Sequence, residues 1–326
     1  MSMLKPSQVG QFLAYIGVPR QFHNAPPSLS LLKTIHTYMI STCPYENLSI
    51  HYNQSHSISL DPQFLFNKIV TNNRGRGGYC MELAILYNHV LRGLGFQAYT
   101  VGARTRRRFQ GVPQGDYPGW VHIVNIVTFP DQDVAPTEPK QYAVDVAFGG
   151  DGPTAPLPLI SGTIHQNLGT QQVRLLRDWI PTQVHRTEES KLWIYQYRNS
   201  ADAEWNSYYA FTETEFMAAD WEVVNHWASC SPNSHQTWTA LVVKFLRRPA
   251  HDGADQDAQE EIYGKRTLFN GVIKENLGGR SRLVVECKTE AERIEALEKY
   301  FGLRLTEEEV LGITGWATDL NSKGEL

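Results

Sequence analysis

Along the first hundred residues the apolar positions recur at helical spacing. Val9, Phe12, Leu13 and Ile16 form one stripe, with Ser7 as the expected N-cap of a helix over 6–17. After Pro26-Pro27, Leu31, Leu32, Ile35 and Met39 share a face, which predicts a second helix near 30–41. Pro44 ends it, and PYENLSIHY reads as extended chain. Asp61-Pro62 opens a third helix, with Asp as the cap and Pro at the first helical position. Leu83, Tyr87, Val90, Leu91 and Leu94 then fall at i, i+4, i+7, i+8 and i+11, the face of a fourth helix, which Gly93 and Gly95 close.

From about residue 98 the period becomes two. WVHIVNIVTF (120–129) and QYAVDVAF (141–148) are the best strands, and the polar PDQDVAPTEPK between them predicts an antiparallel hairpin with a long tip. Residues 149–182 are dense in Gly and Pro and read as a long loop or insertion. Strands are expected again at 191–199 and 205–211, a helix near 213–228, and strands at 239–248, 261–269 and 281–287. Two closing helices carry capping boxes, Thr289 with Glu292 and Thr306 with Glu309; their glutamates read as solvated faces. The chain is therefore of the α+β class: helices, then strands, then a mixed region.

Composition adds bounds. The 326 residues, 41% hydrophobic and 20% charged with a net charge of −4, describe an ordinary globular protein and disfavour a nucleic-acid partner. Four cysteines, none in CxxC spacing, suggest neither a zinc site nor a disulfide framework, so no metal is expected. There is no long apolar leader and no run of membrane-spanning length, so a cytoplasmic setting is expected. No protein partner is indicated.

The chemistry concentrates at residues 74–96. A glycine turn (Gly75, Gly77, Gly78) delivers Cys80 to a helix start, where unpaired N–H groups and the positive end of the helix dipole favour thiolate. A small buried apolar cysteine is the plainer reading of that position alone. Two further residues alter it. His122 lies on the 120–129 strand. Asp145, flanked by Ala143 and Ala147, lies on the 141–148 strand, near enough in order to be its cross-strand neighbour. A thiol nucleophile needs such a pair: an imidazole to take its proton and a carboxylate to fix the tautomer.

The local sequences are more specific. RGGYCMEL (76–83), PYENLSI (44–50), GWVHIVNIV, YAVDVAFGG and SPNSHQTW (231–238) resemble, in order, the signature segments of the arylamine N-acetyltransferase family. The resemblance implies an N-terminal helical bundle (1–97), a central β-barrel (98–212) and an interdomain helix with a C-terminal α/β lid (213–326), with a triad arranged as in cysteine proteases and transglutaminases. It implies Cys80 as acyl acceptor, His122 as base and Asp145 as orienting acid, in a ping-pong transfer from acetyl-CoA or malonyl-CoA to an arylamine or arylhydrazine. Gly149, Gly150, Asn233, Ser234 and His235 become candidate coenzyme contacts, and Tyr45 and Phe148 candidate lining of the acceptor pocket. Arg76 and Glu82 are expected to fix the nucleophile turn as ion-pairing partners.

Met81 and Tyr45 depart from the phenylalanines common in the family. The inserted 149–182 stretch resembles eukaryotic members, in particular the fungal branch, some of which use malonyl-CoA. The four arginines of Arg104–Arg108 suit coenzyme phosphates or a malonyl carboxylate, or else a solvated turn. A thiol hydrolase or transglutaminase-like enzyme would carry the same triad. A catalytically silent xenobiotic-binding protein would be expected to lack one of its members.

Overall fold

The computed structural model describes residues 2–130, 139–250 and 260–322. Helices Pro6–Ile16, Leu29–Thr42 and Cys80–Gly93 pack through the stripes read above. Phe12, Leu13, Ile16, Leu32, Ile35, Met39, Leu83, Tyr87 and Val90 are all fully buried in one cluster. Ser28 caps the second helix through Leu31 N at 3.2 Å, and Asp61 caps Pro62–Phe66 through Phe64 N at 2.8 Å. The first helix starts at Pro6 as expected, but its cap is not Ser7. Lys5 is its N-cap, because Pro6 takes the first helical position and Gln8 Oε1 accepts from Lys5 N at 2.9 Å, so Ser7 lies inside the helix.

Segment 44–52 is not extended throughout. Tyr45–Glu46 is a two-residue strand, and Leu48–Tyr52 turns into a short helix once Glu46 accepts from Leu48 N at 2.7 Å. That strand pairs with Leu241–Pro249, almost two hundred residues away in the chain. It forms one edge of a five-stranded antiparallel sheet completed by Glu260–Phe269, Val272–Asn276 and Arg282–Glu286. The helix Glu290–Phe301 covers this sheet through Leu297 and Phe301, and both closing capping boxes are formed.

An eight-stranded antiparallel sheet lies between. Its order is Leu157–Pro158, Gln141–Val144, His122–Thr128, Gln97–Thr105, Asn206–Glu215, Leu192–Arg198, Gln172–Asp178, Ile164–Gln166. The 157–158 edge comes against Gln172–Asp178, so the sheet is a nearly closed barrel filled by Val101, Val124, Ile126, Leu175, Tyr195, Tyr209 and Phe211. The 149–182 stretch is thus a supplier of three strands and not a loop. Its period-two signal is hidden because two of the three are only two or three residues long.

The strand predicted at 141–148 ends at Val144. The register sets Asn125 opposite Val144, so Asp145 follows the last ladder position and His122 faces Ala103 across the other neighbour. The hairpin pairing is as expected; its tip at 131–138 lies outside the described residues. The helix expected near 213–228 is shifted along the chain. The strand before it runs on to Glu215, and the helix occupies Ala218–Cys230.

Candidate active site

The turn that presents Cys80 is set by close backbone packing. A Cβ at Gly77 would lie 1.8 Å from the Pro44 carbonyl oxygen, a gap that only glycine permits. The turn is laced to the short strand by Glu46 N donating to Gly78 O at 2.9 Å. Beneath it lies a buried ionic network. Arg76 Nε donates to Glu46 at 2.9 Å, Lys68 reaches Glu82 at 2.6 Å and Glu46 at 3.5 Å, and Glu82 accepts from Tyr79 N at 3.0 Å. Arg76, Glu46 and Glu82 are at most 1% exposed. The paired cations hold Glu46 below the usual carboxylate range, whereas burial and the neighbouring Glu46 hold Glu82 above it. Arg76 and Arg74 both also bind Glu309, from the last helix, Glu307–Gly312. Glu309 was read above as a solvated glutamate. Its capping box with Thr306 gave no sign of this second role.

Cys80 is the first residue of its helix, and it is buried. The expectation of a thiolate does not hold for the sulfur taken alone. Burial pushes the thiol well up. The N–H groups of Met81 and Cys80 oppose this, and the charges of Asp145 and Glu82 add to it. The helix-start N–H groups do act as expected, but desolvation outweighs them. Ionisation therefore requires a proton acceptor beside the sulfur.

His122 and Asp145 come together from separate strands. His122 Nε2 donates to Asp145 Oδ2 at 2.8 Å, and Asp145 Oδ1 accepts from Ala147 N at 3.0 Å, so both carboxylate oxygens are engaged. With Nε2 committed, Nδ1 is the nitrogen left for another partner. Phe148 and Tyr209 hold the ring edge-on, with centroids at 5.1 and 5.5 Å. The Cys80 sulfur lies 3.9 Å from the carbonyl oxygen of Val121, the residue immediately before His122, and 3.3 Å from the Met81 thioether. Among the described residues these are its hydrogen-bonding neighbours; the imidazole is not one of them.

The other predicted residues surround this centre. Tyr45 is buried, its hydroxyl accepts from Gln236 Nε2 at 2.6 Å, and burial together with nearby Cys80 pushes its phenol well up. Phe148 packs on Tyr208 at 4.6 Å and Tyr209 at 4.7 Å. Gly149 adopts φ +88° beside the Tyr45 ring, and the Gly150 carbonyl accepts from Lys265. Asp151 is held below the usual range by Lys265 and Arg108. In the 231–237 turn, Ser234 is buried and its hydroxyl is used within the turn, donating to Ala228 O at 2.6 Å and accepting from Gln236 N at 3.3 Å. Asn233 receives Arg107 at its carbonyl, 2.8 Å away, and His235 is lowered by burial and by Arg107.

Two features escaped sequence reasoning. The arginine cluster leads into a small hairpin, Arg107–Phe109 with Val112–Gln114, whose Arg107 and Arg108 tie the 231–235 turn and the 149–151 loop to one element. Gln236 is the second. Asn47 Nδ2 donates to its Oε1 at 2.9 Å, so the PYENLSI segment positions the amide that binds Tyr45. The adjacency of Gln236 to the SPNS segment was the available signal.

Among the described residues no group of three His, Cys, Asp or Glu is arranged to hold a metal, and no helix is long and apolar enough to cross a membrane.

Known proteins resemble this chain in sequence and in fold. A sequence profile described as N-acetyltransferase matches residues 28–310. The N-malonyltransferase FDB2 of Fusarium pseudograminearum is 34% identical over 331 residues, covering 94% of this chain and 91% of its own. An arylamine N-acetyltransferase / N-hydroxyarylamine O-acetyltransferase of Salmonella typhimurium is 29% identical over 68% of each chain. Among solved structures, the arylamine N-acetyltransferase from Salmonella typhimurium superposes with a TM-score of 0.73 at 25% identity, over 94% of this chain and 97% of that one. The Mycobacterium marinum enzyme in complex with CoA has the same fold, with a TM-score of 0.70 at 23% identity over 97% of each chain. The chain belongs to the arylamine N-acetyltransferase family and is a member of its fungal type.

Proposed function

We propose that the protein is a coenzyme A-dependent N-acyltransferase that works through a thioester on Cys80, with malonyl-CoA as the preferred donor and an aromatic amine or hydrazine as acceptor. The observation that carries the reading is the buried His122–Asp145 pair at 2.8 Å, with the Cys80 sulfur 3.9 Å from the carbonyl just before that histidine. In this layout residues 1–97 bring the nucleophile, 98–212 the imidazole and carboxylate, and 213–326 the covering helix and sheet.

The chemistry follows from the ionisation of the site. The thiol resists losing its proton to water, so the proton passes to Nδ1 of His122, and Asp145 stabilises the imidazolium at Nε2. The sulfur bonds to the thioester carbonyl carbon. The bond to coenzyme sulfur then breaks, and that sulfur takes the proton from the imidazolium. In the second half, the amine nitrogen bonds to the acyl carbon and passes a proton to His122. The Cys80–acyl bond breaks and the proton returns to the sulfur. Tyr45 and Phe148 would line the aromatic acceptor. Gly149, Gly150, Asn233 and His235 would meet the coenzyme, with Ser234 shaping the turn and Arg107 and Arg108 joining the two segments.

Preference for malonyl rests on the fungal N-malonyltransferase, whose sequence matches over 94% of this chain at 34% identity; the sequences of the bacterial acetyltransferases match over 68% of it at 28–29%. The test is incubation with malonyl-CoA and acetyl-CoA separately, without amine, followed by intact mass and peptide mapping. One acyl group on Cys80, faster from malonyl-CoA, is expected, and none in Cys80→Ala. Acylated amine formed by Cys80→Ala would overturn the assignment. Faster acylation from acetyl-CoA would reverse the donor. Thioester hydrolysis that no amine can divert would place the protein with the thiol hydrolases.

A further inference from the structure

The helix that carries Cys80 packs on the strand that carries His122, and the contact is mostly apolar. Ala84 and Tyr87 on the helix and Ile123 and Val127 on the strand are buried in one cluster. Apolar contact has no direction, so by itself it would let the helix settle at more than one position along the strand. One polar pair interrupts it. Asn125, between Ile123 and Val127 on the same strand face, is fully buried. Its Nδ2 donates to the Ala84 carbonyl at 3.1 Å, and its Oδ1 accepts from Asn88 Nδ2 at 2.8 Å. Both faces of one amide are thus engaged on successive turns of one helix, an arrangement that a slide along the axis would break.

The location of this pair connects it to the chemistry. Ala84 lies about one helical turn from Cys80, and Asn125 stands on the strand of His122. The backbone of Asn125 is in register with Val144, the residue before Asp145. The elements bearing the sulfur, the imidazole and the carboxylate therefore meet at one side chain. The sulfur makes no hydrogen bond of its own to the imidazole, so the seat of the helix on the strand sets the distance between them. We infer that Asn125, oriented by Asn88, is a positioning residue that keeps the Cys80 sulfur within proton-transfer reach of His122. The inference rests on the reading of Cys80 and His122 as nucleophile and base. Two paired amides in an apolar interface add little net stability over apolar side chains of the same shape. What they add is direction.

The experiment compares full-length wild type, His122→Asn and the double variant Asn88→Leu/Asn125→Leu. Removing both amides together orphans no polar group, because the Ala84 carbonyl keeps its bond within the helix, so the urea midpoint should stay at or above that of wild type. Alkylation of Cys80 by iodoacetamide at neutral pH should nonetheless fall roughly ten-fold or more, with the pH profile moving toward that of His122→Asn. Single-turnover acylation should slow by about 10–10²-fold. A double variant with the wild-type profile, while His122→Asn differs, would overturn the role of Asn125 alone. Coincident profiles of wild type and His122→Asn would overturn the base assignment, and the positioning role with it. If the double variant does not fold, Asn88→Ala serves. Its loss of one hydrogen bond should slow alkylation at neutral pH roughly five-fold, and an unchanged rate would overturn the inference.

Discussion

At the residue scale the decisive quantity is where the Cys80 proton goes. Burial raises the thiol, and the helix-start N–H groups recover only part of that. On the proposed mechanism, reactivity at neutral pH comes from transfer to His122. Wild-type protein should be alkylated by iodoacetamide at neutral pH, and His122→Asn only as the pH climbs toward the range in which a buried thiol ionises. Coincident pH profiles would show that the imidazole takes no part. Asp145→Asn keeps an acceptor for Nε2 but loses the charge facing the imidazolium. Acylation should slow by about 10²–10⁴-fold, measured as a single turnover by quenched mass spectrometry. A loss below a factor of a few would make the aspartate a packing residue.

At the scale of elements, the nucleophile turn is held from three directions: the Tyr45–Glu46 strand, the Pro62–Thr71 helical segment that carries Lys68, and the Glu307–Gly312 helix. Three cations (Lys68, Arg74, Arg76) meet three anions (Glu46, Glu82, Glu309), so the network is neutral as built. Arg76→Met would leave Glu46 buried with Lys68 alone, and a loss of about 3–5 kcal/mol is expected from urea unfolding. Glu309 is partly solvated, so Glu309→Gln should cost less, about 1–2 kcal/mol. It should also slow Cys80 alkylation, because Arg76, which anchors the turn to Glu46, loses one of the partners that fix it. Alkylation at the wild-type rate would reduce Glu309 to a stabilising residue. The last helix is where sequence reading failed. Its capping box was legible, since Thr306 and Glu309 are three residues apart, but the second task of the same glutamate depends on residues more than 230 positions away.

Across the whole molecule, folding withdraws two histidines from water and gives their rings only carbonyl and hydroxyl hydrogen-bond partners. His36 and His51 are fully buried, and desolvation moves each from an ordinary 6.5 to about 4. Between those values the unfolded chain binds a proton that the folded protein refuses, so stability present at neutral pH is lost as the pH falls. Each histidine should remove about 2 kcal/mol between pH 6.5 and pH 5. Urea midpoints at the two pH values test this, and a flat profile would mean that the rings are hydrated.

What the sequence determined by itself is local. Helix periodicity, caps, the glycine turn before Cys80 and the segments around His122 and Asp145 are written in runs of ten residues or fewer, because steric and hydrogen-bonding rules act at that range. The tertiary structure decided the rest: the three strands of 157–178, the offset that makes Asp145 reach His122 from beyond its ladder, and the union of Tyr45–Glu46 with a strand near residue 242. It decided how tightly the Cys80 thiol holds its proton as well, since burial and nearby charges act from every atom brought near, and no local pattern encodes their sum.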